Sequence, residues 1–113
     1  MVTLLLALSL QAAPPPAPPA SASPAVASTA IDEGLRLFKR HRLTAAESEF
    51  RKAVEADPKS AAAHFYLGYT LYKLGEPTRR MNPQKTEARA EFARAYELEA
   101  GFRPVWAAAA PAR

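Results

Sequence analysis

The sequence predicts an all-α fold of two antiparallel helix hairpins, on three observations: an internal repeat, apolar residues at helical spacing, and caps and breakers at the ends of the helical stretches. Gly34-Leu35-Arg36-Leu37-Phe38-Lys39 aligns with Gly68-Tyr69-Thr70-Leu71-Tyr72-Lys73 at an offset of 34 positions. Ala46-x-x-Glu49-Phe50-x-x-Ala53-x-Glu55 aligns with Ala88-x-x-Glu91-Phe92-x-x-Ala95-x-Glu97 at an offset of 42, so eight extra residues follow Gly75. Each copy then holds two helical stretches joined by a turn, the first copy over residues 29–58 and the second over 60–100.

The elements follow in order. The first stretch ends in Lys39-Arg40-His41-Arg42, where positive charge complements a helix C-terminus. Thr44-x-x-Glu47 reads as a capping box opening the second helix, and Asp57-Pro58 closes it, since proline disfavours helix in the residue before it. Ser60 caps the third helix and Gly75 ends it. Asn82-Pro83, a cap followed by proline at the first helical position, starts the fourth about one turn early. The insertion, about 76–83, is thus part loop and part extra helix. Ala46, Phe50, Ala53 and Val54, and again Leu67, Leu71 and Leu74, recur at helical spacing.

Ahead of the repeat the composition changes. No charged residue precedes Asp32, and six of the 11 prolines lie in that charge-free part of a 113-residue chain. Residues 2–10, VTLLLALSL, suit the apolar region of a secretory signal and are about half a membrane span. No Lys or Arg follows Met1 directly. Residues 1–22 are read as a signal peptide with cleavage after Ala12 or Ala22. The Pro/Ala/Ser-rich stretch from about residue 14 is read as disordered, leaving 23–28 as a linker. Export to the periplasm or cell envelope of a bacterium is the expectation, with the membrane met only through the transient signal; the alternative is a cytoplasmic protein with an apolar tail. The absence of cysteine excludes disulfides and thiolate chemistry.

The repeat resembles the tetratricopeptide family, whose pattern is W-x2-L-G-x2-Y, then A-x3-F, then P, with a period of 34 residues. His64, Leu67, Gly68, Leu71, Ala88, Phe92 and Ala95 occupy its positions in the second copy, and Ala30, Glu33, Gly34, Leu37, Ala46, Phe50, Ala53 and Pro58 in the first. Ala30 and His64 stand where tryptophan is usual, Glu33 replaces leucine and Ala100 the closing proline. The resemblance implies a right-handed superhelical stack. It also implies a concave groove, lined by the first helix of each hairpin, that takes peptide segments. The groove positions carried over are Ile31, Leu35, Phe38 and Lys39, then Phe65, Tyr69, Tyr72 and Lys73. Phe65, Tyr69 and Tyr72 share one face by spacing alone, apart from the arc of Leu67, Gly68 and Leu71. Positions that clamp a terminal carboxylate in some members hold Ile31, Leu35 and Tyr66, so the groove reads as apolar and aromatic.

Two repeats leave an open end, because stacked repeats share their core with neighbours. Residues 101–113 carry the only tryptophan, Trp106, and are read as a cap for the open face of the fourth helix, the alternatives being a second copy or another protein. No cofactor, metal or catalytic site is expected. His41 and His64 form no spaced ligand set, and neither a glycine-rich phosphate loop nor a nucleophile elbow is present. The formal charge of +4 alternates in sign from segment to segment, which is a poor footprint for nucleic acid. Arg79, Arg80 and Lys85 in the insertion form the best basic patch and the second choice of partner surface. The expected function is therefore an exported, non-enzymatic adaptor for a protein or peptide partner. The rival readings are a homo-oligomerising structural unit and a basic nucleic-acid or lipid binder.

Overall fold

The computed structural model describes residues 23–108. The signal-like run and its cleavage sites, together with residues 109–113 of the tail, lie outside them. Four helices, α1 (Pro24–Lys39), α2 (Leu43–Ala56), α3 (Ala61–Gly75) and α4 (Pro83–Leu98), are followed by a single turn, α5 (Val105–Ala108). α1 pairs with α2 and α3 with α4, and α3 also packs on α1 and α2. The predicted pair of hairpins is what forms. Among the described residues no helix is long and apolar enough to cross a membrane.

The first correction is at the start of α1. Residues 23–28, expected as linker, are its cap and opening turns. Ser23 Oγ accepts the Val26 N–H at 3.2 Å, Pro24 takes the first helical position, and the Ser23 N–H donates to the Ala56 carbonyl at 2.6 Å. Ala27 and Ala30 are buried in a cluster of small side chains with Ala53, Ala56 and Ala63. Ser23-Pro24 is the same signal as Asn82-Pro83. Packing of the alanines on α2 orders a segment whose composition alone suggests a spacer.

The second correction is at α2. Its cap position is Arg42, which makes no side-chain capping bond, and Thr44 already lies inside the helix. The turn before it explains why. His41 adopts the left-handed conformation, φ 60°, with its N–H donating to the Phe38 carbonyl at 2.9 Å and the Arg42 N–H donating to the Leu37 carbonyl at 3.0 Å. These two bonds form the Schellman closure of α1, and the chain re-enters helix at Leu43, before Thr44 can cap it. Glu47 pairs instead with Arg51 at 2.9 Å. A left-handed L-residue costs about 1–2 kcal/mol that glycine avoids. His41→Gly is therefore expected to stabilise the protein by about 1 kcal/mol, raising the melting midpoint by about 4–8 °C in a thermal scan.

The remaining caps follow the sequence. Ser60 Oγ accepts the Ala63 N–H at 3.1 Å, and the Asp57 N–H closes α2 on the Ala53 carbonyl at 2.9 Å. Asn82 serves two helices at once. Its Oδ1 accepts the Lys85 N–H at 2.9 Å, while its Nδ2 donates to the Gly75 carbonyl at 3.0 Å, tying the end of α3 to the start of α4 across the insertion.

α3 is the central helix and is buried along most of its length. Around it Ala46, Phe50, Leu67, Leu71, Ala88 and Ala95 form the core. The glycines mark the close crossings inside each hairpin. A Cβ at Gly34 would stand 2.7 Å from Phe50 Cδ1, and one at Gly68 would stand 3.1 Å from the Ala88 carbonyl oxygen. Arg51 joins α2 to α4 by a two-pronged bond to Glu87 at 2.6 and 3.1 Å. Hydrogen bonding to Arg51 holds the Glu87 carboxyl below its ordinary range, against the opposing effect of burial.

Candidate functional site: the groove between α1 and α3

The eight groove residues do not share one environment. Phe65 is only 7% exposed and belongs to the core, so its assignment to the binding surface is corrected. Rings cover it from several sides: Phe92 at 5.3 Å and Tyr96 at 6.2 Å from α4, Phe102 at 5.2 Å and Trp106 at 6.1 Å from the tail. Ile31 is half-buried against both parts of the core. Leu35, Phe38 and Lys39 of α1 and Tyr69 of α3 do face one opening, a cleft of about 520 Å³. Tyr72, 43% exposed, lies further along the same stripe. The Lys73 amine stands 5.7 Å over the Tyr69 ring and pairs with Glu76 at 3.3 Å. The aromatic stripe thus grades from core at Phe65 to surface at Tyr72.

The tail is placed differently from the expected cap on α4. Its described part, residues 101–108, runs over the α3 side to the cleft, where Val105 and Trp106 supply part of the lining. Trp106 lies 5.0 Å from Tyr69 and 5.6 Å from Tyr66, and stacks on Phe38 at 6.1 Å with 16° between ring planes. The Val105 N–H donates to the Tyr66 hydroxyl at 3.0 Å. Burial pushes the Tyr66 hydroxyl above its ordinary pKa, partly offset by that bond. The physical reason for the placement is aromatic: α3 presents Phe65, Tyr66 and Tyr69 on one side, whereas on α4 Tyr96 meets Phe65 edge-on and stays 45% exposed. Sequence reasoning noticed Trp106 but could not give it this address, since nothing local to residues 101–108 specifies which distant rings they meet.

The second surface is changed too. Lys85 is turned inward, its amine donating to the carbonyl oxygens of Thr78 and Arg80, which staples the insertion. Arg79 and Arg80 remain exposed, so the three residues do not act as one basic patch.

His64 lies in the position where tryptophan is usual, 7% exposed. Its Nε2–H donates to the Pro58 carbonyl at 2.7 Å, and its Nδ1 stands 2.5 Å from Glu91 Oε2. A carbonyl only accepts, so Nε2 carries a proton, and a second proton lies between Nδ1 and the carboxylate. With both nitrogens engaged, the ring is a packing and bracing element linking α3 to α4 and to the α2–α3 turn. Among the described residues no group of three or more His, Asp or Glu gathers where a metal could be held.

Comparison with known proteins agrees with this architecture. The family model described as TPR repeat matches residues 34–75. Superkiller complex protein 3 of Mus musculus is 37% identical over 68 residues, and Tetratricopeptide repeat protein 37 of Xenopus laevis is 33% identical over 67. These matches cover 60% and 59% of this chain but only 4% of each relative's length. No solved structure matches. Modules of this kind generally mediate protein–protein interaction and are typically non-catalytic. The 34-residue offset, the small residues at the crossings and the paired helices agree with the family match, which identifies a TPR repeat over residues 34–75 of the chain.

Proposed function

We propose that the protein is an exported adaptor that binds a segment of a partner protein along the groove between α1 and α3, through Leu35, Phe38, Lys39, Tyr69, Tyr72 and Lys73. The observation that carries this reading is the open cleft lined by half-buried and exposed apolar side chains, beside a core already filled by Phe50, Leu67 and Leu71. Leu35, Phe38 and Tyr69 rest on that core and keep one shared face open, which is what a docking surface requires. Export is supported by the apolar run at residues 2–10 and the Pro/Ala-rich stretch after it.

Replacing Tyr69 and Tyr72 together by Ala is expected to weaken partner capture at least tenfold while circular dichroism remains helical. Tyr69 also packs on Trp106, so Tyr72→Ala alone is the control that leaves the fold untouched. Undiminished capture by both variants overturns the reading. A second reading, self-association, is favoured by the other apolar cleft, about 510 Å³ at the open end of the stack, where Val26 is 55% exposed beside Ala25, Thr29 and Ala30. A mass that doubles with concentration supports that reading.

A further inference from the structure

We propose that the tail is an autoinhibitory strap: Trp106 sits on Phe38 and Tyr69 in place of a partner segment, which must push it aside to bind there. This rests on the groove reading above and adds to it the regulation of that site.

The route of the tail sets it apart from a cap. After α4 the chain first repeats the turn that follows α2. Glu99, with φ −150° and ψ 96°, copies Asp57, with φ −144° and ψ 87°. The Phe102 N–H donates to the Glu99 carbonyl at 3.1 Å, as the Ser60 N–H does to the Asp57 carbonyl. At the offset of 42, Val105 and Trp106 stand in register with Ala63 and His64. Ala63 is buried with Ala53 and Ala56 of α2, and His64 is buried too, because α3 continues the stack. The tail leaves that route. Val105 is 56% exposed and Trp106 43%, and Trp106 crosses to α1, where it stacks on Phe38 at 6.1 Å and lies 5.0 Å from Tyr69. A segment that only closed the end of the stack would be buried there, as its counterparts in α3 are.

The tail also divides into a firm base and a loose tip. Phe102 packs on Phe65 at 5.2 Å, and Pro104 is buried. Beyond them the Val105 N–H bonds the Tyr66 hydroxyl at 3.0 Å, and α5 is a single turn, too short to be stable as a helix by itself. A Cβ at Gly101 would meet nothing within 4 Å, so the entry to the tail is unobstructed. Ring contacts and one hydrogen bond on a half-exposed tip are what a partner segment with its own bulky apolar side chain can replace. Tethering sets the threshold. A segment on the same chain acts at an effective concentration of about millimolar, so weak contacts keep the two rings covered until a tighter ligand arrives. Tyr72, exposed beyond the tail, stays open for the first contact.

The probe is a copy of residues 101–108, Gly-Phe-Arg-Pro-Val-Trp-Ala-Ala, amidated at its C-terminus and carrying fluorescein at its N-terminus. Its anisotropy is followed against the intact chain and against the full-length Trp106→Ala variant. The variant, its groove vacated, is expected to bind the probe saturably, and the intact chain at least tenfold more weakly. Adding Phe38→Ala to Trp106→Ala is expected to abolish binding while circular dichroism remains helical. Partner capture supplies the sign: Trp106→Ala raises it if the tail is a strap and lowers it if the tail only supports the fold. Should Trp106→Ala lose its helical signal, Val105→Pro, which deletes the N–H bonded to Tyr66, carries the same comparison. Equal binding by both chains, no binding to the vacated chain up to about millimolar probe, or lowered capture overturns the strap. If Tyr72→Ala still weakens capture in that event, the groove reading stands without the strap; if Tyr72→Ala changes nothing either, both fall.

Discussion

Phe50→Ala is expected to cost about 3–5 kcal/mol and to leave much of the protein unfolded at 37 °C. Phe50 is 1% exposed, lies against the open backbone of Gly34 and stacks on Tyr66 at 5.7 Å. It therefore joins the first hairpin internally and also binds it to the second. A unit of this size has roughly 4–13 kcal/mol of stability in total, so the loss is a large share of it. The remaining wall cannot collapse into the void, because Gly34 has no side chain to lend and α3 is held by packing on three sides. Urea denaturation measures the effect: the midpoint should fall steeply with the slope nearly unchanged, and Phe50→Leu should fall much less. A loss under about 1 kcal/mol for the alanine variant would show that the crossing at Gly34 is not the tight joint described.

His64→Ala should cost about 2–4 kcal/mol. The substitution deletes a buried ring and strands two acceptors, the Pro58 carbonyl and the Glu91 carboxylate, whose bonds to the imidazole are 2.7 and 2.5 Å. Hydrogen bonds to charged groups are worth about 1.5–3 kcal/mol, more than neutral ones. A double-mutant cycle separates this bond from mere loss of volume. His64→Ala and Glu91→Ala should be coupled by at least about 1 kcal/mol, because once one partner is gone removing the other does little further harm. Additivity of the two within about 0.3 kcal/mol would mean that His64 acts as filler alone. The first copy has Ala30 at the equivalent position, buried in a cluster of alanines. The two hairpins thus solve the same joint by different means, small side chains in one and a braced polar ring in the other.

Much of the fold is legible in residues that act locally. Asp57-Pro58, Ser60 and Asn82-Pro83 end or begin helices in the structure as their types dictate, because a cap or a missing N–H operates within one turn of chain. Two readings failed for opposite reasons. Ser23-Pro24 carries the same local signal as Asn82-Pro83, but it sits in proline-rich surroundings whose average suggests a spacer. Thr44-x-x-Glu47 has the letters of a capping box, but the left-handed turn at His41 returns the chain to helix one residue too early for it to form.

The candidate site was legible only in outline. Spacing along α3 places Phe65, Tyr69 and Tyr72 on one stripe, and the structure keeps that stripe. How deeply each ring is buried depends on α4 and the tail, which are distant in sequence. Phe65 is closed over by Phe92, Phe102 and Trp106, while Tyr72 lies beyond their reach. Lys85 reads as part of a basic surface until the loop folds back and offers it carbonyl oxygens.

The sequence by itself determined the all-α class, the two hairpins, the small-residue crossings and most helix ends, since period and capping are set by neighbours within a few residues. Only the tertiary structure decided that the first helix begins at Pro24, that Phe65 is core, and that the tail lies along the groove side of α3 and not on the outer face of α4. Those outcomes depend on which apolar faces meet across tens of residues, and burial against a distant ring is a property of the packed chain that no local pattern encodes.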